Sequence, residues 1–223
     1  MIKVLALSGL MALWAGSLVA AAADEQKSYD LLFRDGTLDA IDPEMSLVYR
    51  RDVTNAINPA AADRDSGDIS LSFKDSDASL ARLEFRRDGK HRALGQFPAS
   101  VGNPMIMYFY ETVVRDMAET AGGSPFYIRN RVKDALAEPG TYEEGEAVVD
   151  GKAVPTVTVS LKPFATDPNR DRMQGFGDLE MRITMSEDVP GWYLSLVADT
   201  TSENGDDAVY RSALKFERLE AEE

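Results

Sequence analysis

The stretch from Gly102 to Gly140, GNPMIMYFYETVVRDMAETAGGSPFYIRNRVKDALAEPG, constrains the fold of this chain more than any other. It reads as two consecutive helices set into a sequence that elsewhere alternates like β-sheet. Asn103 suits a helix N-cap, and Pro104 suits the first turn, where its missing N–H costs nothing. Met105, Phe109, Val113 and Met117 recur every four residues, with Ile106, Tyr110, Val114 and Ala118 beside them. Gly122 and Gly123 supply a stop, since glycine adopts the left-handed conformation without strain. Ser124–Pro125 repeats the start signal, and Ile128, Val132 and Leu136 form a second stripe that Pro139–Gly140 ends. From Met105 to Tyr110 the first helix is apolar almost all round, which predicts a helix sunk into the sheet.

The flanking sequence has a period of two, the mark of strands with one buried face. Met45, Leu47, Tyr49 and Val53 share one side of the first strand. Ile69, Leu71 and Phe73 share one side of the second, and Ala81, Leu83 and Phe85 of the third. Asp88–Gly89 is a hairpin signal leading into a fourth strand over His91 to Phe97. Asp150–Gly151 is a second such signal, between Glu144–Val149 and Lys152–Leu161. Leu179, Met181, Ile183 and Met185 alternate next, followed by Trp192, Leu194 and Leu196. Tyr210, Leu214 and Phe216 alternate in the last strand. Tyr29 to Phe33 is a short helical candidate, and Asn58 to Gly67 reads as a polar loop.

These patterns predict an α+β fold. Residues 24–223 form a single secreted domain, a curved antiparallel sheet of about eight or nine strands with the helical pair packed on its concave face. In element order, a curved sheet around an apolar helix resembles the half-barrel of the lipoprotein-carrier type. The resemblance transfers no residues.

Residues 1–23 read as a signal peptide. Met1–Lys3 give a positive start, Val4 to Val19 is mostly apolar, and Ala21-Ala22-Ala23 supplies small residues for cleavage. The rival reading is an uncleaved anchor. Export, with a periplasm as the expected destination, agrees with the absence of cysteine, which also removes a lipobox and any disulfide. A formal charge of −14 argues against a nucleic-acid partner, which requires a basic face. No cofactor is expected.

Candidate chemistry is sparse. His91, the only histidine, lies beside a hairpin turn, a poor setting for a catalytic triad. Without cysteine, a histidine–cysteine zinc site cannot be built. Carboxylate-only hydrolysis needs two facing acids, and no pair stands out among 38. Asp167, Asn169, Asp171 and Asp178 match positions 1, 3, 5 and 12 of a calcium loop. Arg172 stands where that loop needs glycine, and an ordinary polar loop is the alternative reading. Two basic concentrations occur: Arg82, Arg86, Arg87, Lys90 and Arg92, then Arg129, Arg131 and Lys133. They suit an anionic headgroup, or neutralisation by the more numerous acids.

The ligand-binding candidates are Met105, Met107, Tyr108 and Phe109, with Arg129 and Arg131 for an anionic group. Flexible methionines beside aromatics line adaptable apolar clefts, and they equally fill plain cores. The leading expectation is a non-enzymatic protein that binds or carries a lipid, an acyl chain or an apolar peptide segment between sheet and first helix. An envelope interaction protein with a protein partner is the alternative, and a carboxylate hydrolase the third.

Overall fold

The computed structural model describes residues 28–73, 79–138, 140–200 and 208–221. The expected signal peptide at 1–23 and the turn at Lys74–Asp77 lie outside them. Residues 28–32 are helical (α1). There follow β1 (Met45–Asn55), α2 (Pro59–Asp65), β2 (Gly67–Phe73), β3 (Leu80–Arg87), β4 (Lys90–Pro98), α3 (Met105–Ala121) and α4 (Pro125–Leu136). The chain then completes β5 (Thr141–Val149), β6 (Lys152–Leu161), β7 (Glu180–Met185), β8 (Tyr193–Asp199) and β9 (Tyr210–Ala221).

All nine strands join one antiparallel sheet in the order β4-β3-β2-β1-β9-β8-β7-β6-β5. The first four strands and the last five build its two halves. The β1–β9 ladder, from Met45↔Ala221 to Asn55↔Tyr210, welds them together. The helical pair lies between the halves in sequence. Both two-residue hairpins take the twisted geometry their sequences predict. Asp88 and Gly89 have φ of 51° and 69°, Asp150 and Gly151 49° and 77°. Register shifts at Val48/Tyr49, Leu83/Glu84 and Thr184/Met185 mark bulges, which bend strands and raise their twist. The last of these turns Tyr193 inward beside Leu196, where simple alternation from Trp192 selects Leu194.

The core fills one face. Leu47, Tyr49, Ile69, Leu71, Leu83, Met181, Ile183, Leu196 and Leu214 face Met105, Phe109, Val113 and Met117 of α3. The opposite face carries ladders of charge, including Arg50 with Asp52 and Asp68, Arg86 with Glu84 and Glu220, and Arg182 with Glu180 and Asp199. Much of the basic concentration near Arg86 and Arg87 is thus neutralised, Arg87 pairing with Asp63 and Asp88.

Helix α3 is buried on all sides but one. Met107, Glu111, Arg115 and Glu119 form the single exposed stripe, each four residues from the last. Asn103 starts the helix: its side chain accepts from the Met105 N–H at 3.0 Å and donates to the Gly191 carbonyl at 2.8 Å and the Tyr49 hydroxyl at 3.2 Å. Tyr49 donates in turn to the Tyr193 carbonyl, and Tyr193 to that of Leu32. At its far end α3 is held by ions. Arg51, in the inward row of β1 and 2 % exposed, meets Asp116 at 2.7 Å. The Tyr210 hydroxyl donates to the same carboxylate at 2.8 Å. Asn58 to Gly67, expected as a loop, contains α2, capped by the Asn58 side chain accepting from Ala61.

Candidate functional site

Where α3 gives way to α4, Gly122 and Gly123 take φ of 76° and 91°, and a Cβ on either would meet only open space. The two glycines stop one helix and let Ser124–Pro125 start the next. The β6–β7 connection packs across this corner. Phe164 and Phe176 anchor it in the core at 0 % exposure, with short 3-10 turns over Arg170–Arg172 and Phe176–Asp178.

Asp167 clamps that connection to α4. The Tyr127 hydroxyl lies 2.9 and 2.7 Å from its two oxygens, the Asn169 N–H donates at 2.8 Å, and Arg131 completes an ion pair at 2.8 Å. Burial pushes the Asp167 carboxyl up, but the Tyr127 and Asn169 bonds and the Arg131 charge outweigh it, leaving it below the usual carboxylate value. Asn169 Nδ2 also donates to the Tyr127 hydroxyl, and Gln174 Nε2 donates to the Ala121 carbonyl.

Between the clamp and the helical corner lies an open groove of about 410 Å³. Its lining is chiefly apolar: Met117, Ala121, Ile128, Met173 and the ring of Tyr127, with Asn169 and Arg172 among its polar members. Arg172 is exposed and has no carboxylate within ion-pair distance among the described residues. It therefore leaves one uncompensated positive charge beside an apolar trough. A larger cleft, about 640 Å³, separates residues 34–45 from the β7–β8 turn. Arg34 lies 4.5 Å above the Trp192 ring there and pairs with Glu187, while Asp35, Asp42 and Asp188 stand around it. That cleft is the more polar of the two and presents acids to a ligand.

The residues expected to bind a ligand are dispersed. Met105 and Phe109 are buried toward the sheet, Met107 is 47 % exposed, and Tyr108 is half-buried with its ring centre 6.0 Å from the Arg51 guanidinium. Arg129 bonds Glu111 through two nitrogens across the helical pair, and Arg131 serves Asp167. The Arg129 bonds hold the Glu111 carboxyl below its usual value. The four calcium candidates do not converge. Asp167 faces Tyr127 and Arg131, and Asp178 pairs with Arg170. No cluster of three metal-ligating side chains occurs among the described residues. His91 sits on its exposed hairpin with Nδ1 3.0 Å from Glu84. The groove itself combines Met117 and Ile128, already marked by helical periodicity, with Tyr127, Arg172 and Met173. Those three carry no periodic signal, and only the Gly122–Gly123 corner hints at where they meet.

Searches against known protein families and against curated proteins return no match. Among solved structures the chain is similar to the Mycobacterium tuberculosis lipoprotein LppX, with 10 % identity and a TM-score of 0.34 over 90 % of this chain and 95 % of that one.

Proposed function

We propose that this protein is a non-enzymatic binder of a single-chain amphiphile, its apolar tail lying in the groove at the α3–α4 corner and its anionic head on Arg172. One observation carries this reading: a chiefly apolar trough of about 410 Å³ whose lining includes an arginine with no ion-pair partner among the described residues. The volume falls within the range of small-ligand sites, and methionine side chains adapt to a flexible tail. In a chain of formal charge −14, an unneutralised arginine at an apolar opening selects for an anionic head. The interface between sheet and α3, the place first expected for the ligand, is filled by Met105, Phe109 and Val113. The ligand therefore goes to the corner of the helical pair instead of beneath it.

Export fits such a role, and the amino-terminal residues Met1 to Ala23 support it through their charge, apolar run and alanine triplet. No helix among the described residues is long and apolar enough to cross a membrane.

The test is calorimetric titration with dodecanoate and with dodecanol. Met173→Trp, which fills the groove, abolishes binding of both. Arg172→Ala weakens dodecanoate by about tenfold, the worth of one charge-assisted hydrogen bond, and leaves dodecanol unchanged. Equal affinity of wild type and Met173→Trp overturns the site.

A further inference from the structure

Among the described residues the two ends of the sheet are open, and they carry opposite charge. Among the described residues β4 pairs only with β3, and β5 only with β6, so each presents an unpaired edge. Strand β5 is exposed over most of its length and carries Glu143, Glu144 and Glu146. None of the three has a cationic partner among the described residues. Strand β4 begins Lys90-His91-Arg92, also exposed. Lys90 and Arg92 have no carboxylate partner among the described residues, and Arg92 rests 5.1 Å from the Phe85 ring. These residues differ from most arginines of this chain, which are neutralised within it.

Register sharpens the match. Glu144 pairs with Val157, which pairs with Met185, so Glu144 and Glu146 point to the helix-bearing side of the sheet. Arg92 pairs with Phe85 and Lys90 with Arg87, placing both on that same side. Two acids spaced i, i+2 on one edge thus answer two bases spaced i, i+2 on the other. The sheet has an odd number of strands, all antiparallel, so β4 and β5 run in the same direction.

We propose that the β5 edge of one molecule docks on the β4 edge of a second copy, extending the sheet head to tail through a parallel contact. Charge selects this partner. A two-fold contact of β5 with β5 in full overlap sets Glu144 against Glu146, unfavourable across strands, and one of β4 with β4 sets Lys90 and Arg92 against Pro98 and Gln96, which offer them no acid. The heterotypic contact sets Lys90 and Arg92 against Glu144 and Glu146, and satisfies backbone groups that otherwise face water. A head-to-tail contact does not close on itself at two subunits, so growth continues until a ring forms or the chain of copies remains open. This inference is independent of the ligand groove, which lies at the helical corner.

Sedimentation velocity over a range of protein concentrations tests it. Wild type at low salt shows a mass that rises with concentration past the dimer, and high salt, which shortens the screening length, suppresses the rise. Glu144→Lys/Glu146→Lys alone and Lys90→Glu/Arg92→Glu alone each need at least about tenfold more protein to associate, because two attractive cross-strand pairs become repulsive. An equimolar mixture of the two variants associates again, the basic edges of one meeting the acidic edges of the other. A wild type that stays monomeric at low salt overturns the proposal. So does a closed dimer indifferent to salt, or a mixture no more associated than its parts.

Discussion

Replacing Asp116 by alanine is the most informative single change to the core. Asp116 is 6 % exposed and receives the Arg51 guanidinium at 2.7 Å, the Tyr210 hydroxyl at 2.8 Å and Arg115 at 2.9 Å. Arg51 has few alternatives. It is 2 % exposed, and its other hydrogen bond runs to the Asp65 carbonyl at 3.3 Å. Breaking a buried pair by removing one partner costs about 3–5 kcal/mol, because the survivor's charge stays buried and uncompensated. The Asp65 carboxylate, which Arg64 and Arg115 hold in place nearby, softens this toward the lower end. The orphaned Tyr210 hydroxyl adds about 1 kcal/mol. We therefore expect Asp116→Ala to lose about 3–4 kcal/mol, lowering Tm by roughly 6–16 °C for a domain of this size.

The converse change separates this account from simple packing. Arg51→Met leaves Asp116 with Arg115, which reaches it from the exposed stripe of α3, and with Tyr210. Its cost is then about 1–2 kcal/mol, and the double variant stays within about 1 kcal/mol of Arg51→Met, since no buried charge remains to be orphaned. Urea unfolding at constant slope measures all three. An Asp116→Ala loss below about 1 kcal/mol, or an Arg51→Met loss that exceeds it, would refute the reasoning.

Three further outcomes follow from particular contacts. Gly102→Ala is expected to destabilise by several kcal/mol, about 3 or more, because its φ is 87° and the new Cβ would lie 2.3 Å from the Arg34 carbonyl oxygen; Gly123→Ala, strained but in open space, costs only about 1–2 kcal/mol. Burial raises the hydroxyl pKa of Tyr49, Tyr108, Tyr110, Tyr193 and Tyr210. The stability this supplies is complete below the unfolded value near 10 and lost as pH rises above it, so tyrosinate absorbance for these five should appear together with unfolding. Tyr127→Phe removes a hydroxyl from the Asp167 carboxylate and should cost about 1–2 kcal/mol at neutral pH. Because the folded Asp167 pKa is depressed, that stabilisation is present above the unfolded value near 4 and fades as pH falls below it, so chemical unfolding of the two proteins should converge in acid.

Much of the fold was legible in the sequence because its two signals are local. Alternation placed the strands within a few residues, and the Asp–Gly pairs placed both hairpins, since those turns need residues that tolerate positive φ. The Asn103–Pro104 and Ser124–Pro125 signals placed both long helices. The same Asn–Pro signal stands at Asn58–Pro59 before three alanines, yet the stretch reads as loop, because a helix of seven residues is too short for an apolar period to appear. Met107, expected to line a ligand site between sheet and α3, is instead 47 % exposed. Met107 belongs to the row of Glu111, Arg115 and Glu119, and spacing by fours from those polar residues places it in solvent however apolar its neighbours are.

The buried ions and the groove were not legible, for a common physical reason. Arg51 occupies an inward position between Tyr49 and Val53, where alternation asks for an apolar side chain, and only the carboxylate of a helix 65 residues away makes that position tenable. Similarly, Arg131 and Asp167 look like ordinary surface charges until Tyr127 brings them together, and Met173 looks like loop until Met117 and Ile128 supply its partners. A one-dimensional pattern reports which residues seek burial on their own account. Charges buried by pairing, and cavities formed where elements fail to meet, depend on contacts between distant segments, so they emerge only once the β1–β9 ladder has closed the sheet around α3. The proposed binding role rests on that second class. The groove owes its shape to the Asp167 clamp, and its proposed chemistry to Arg172, which has no carboxylate within ion-pair distance among the described residues.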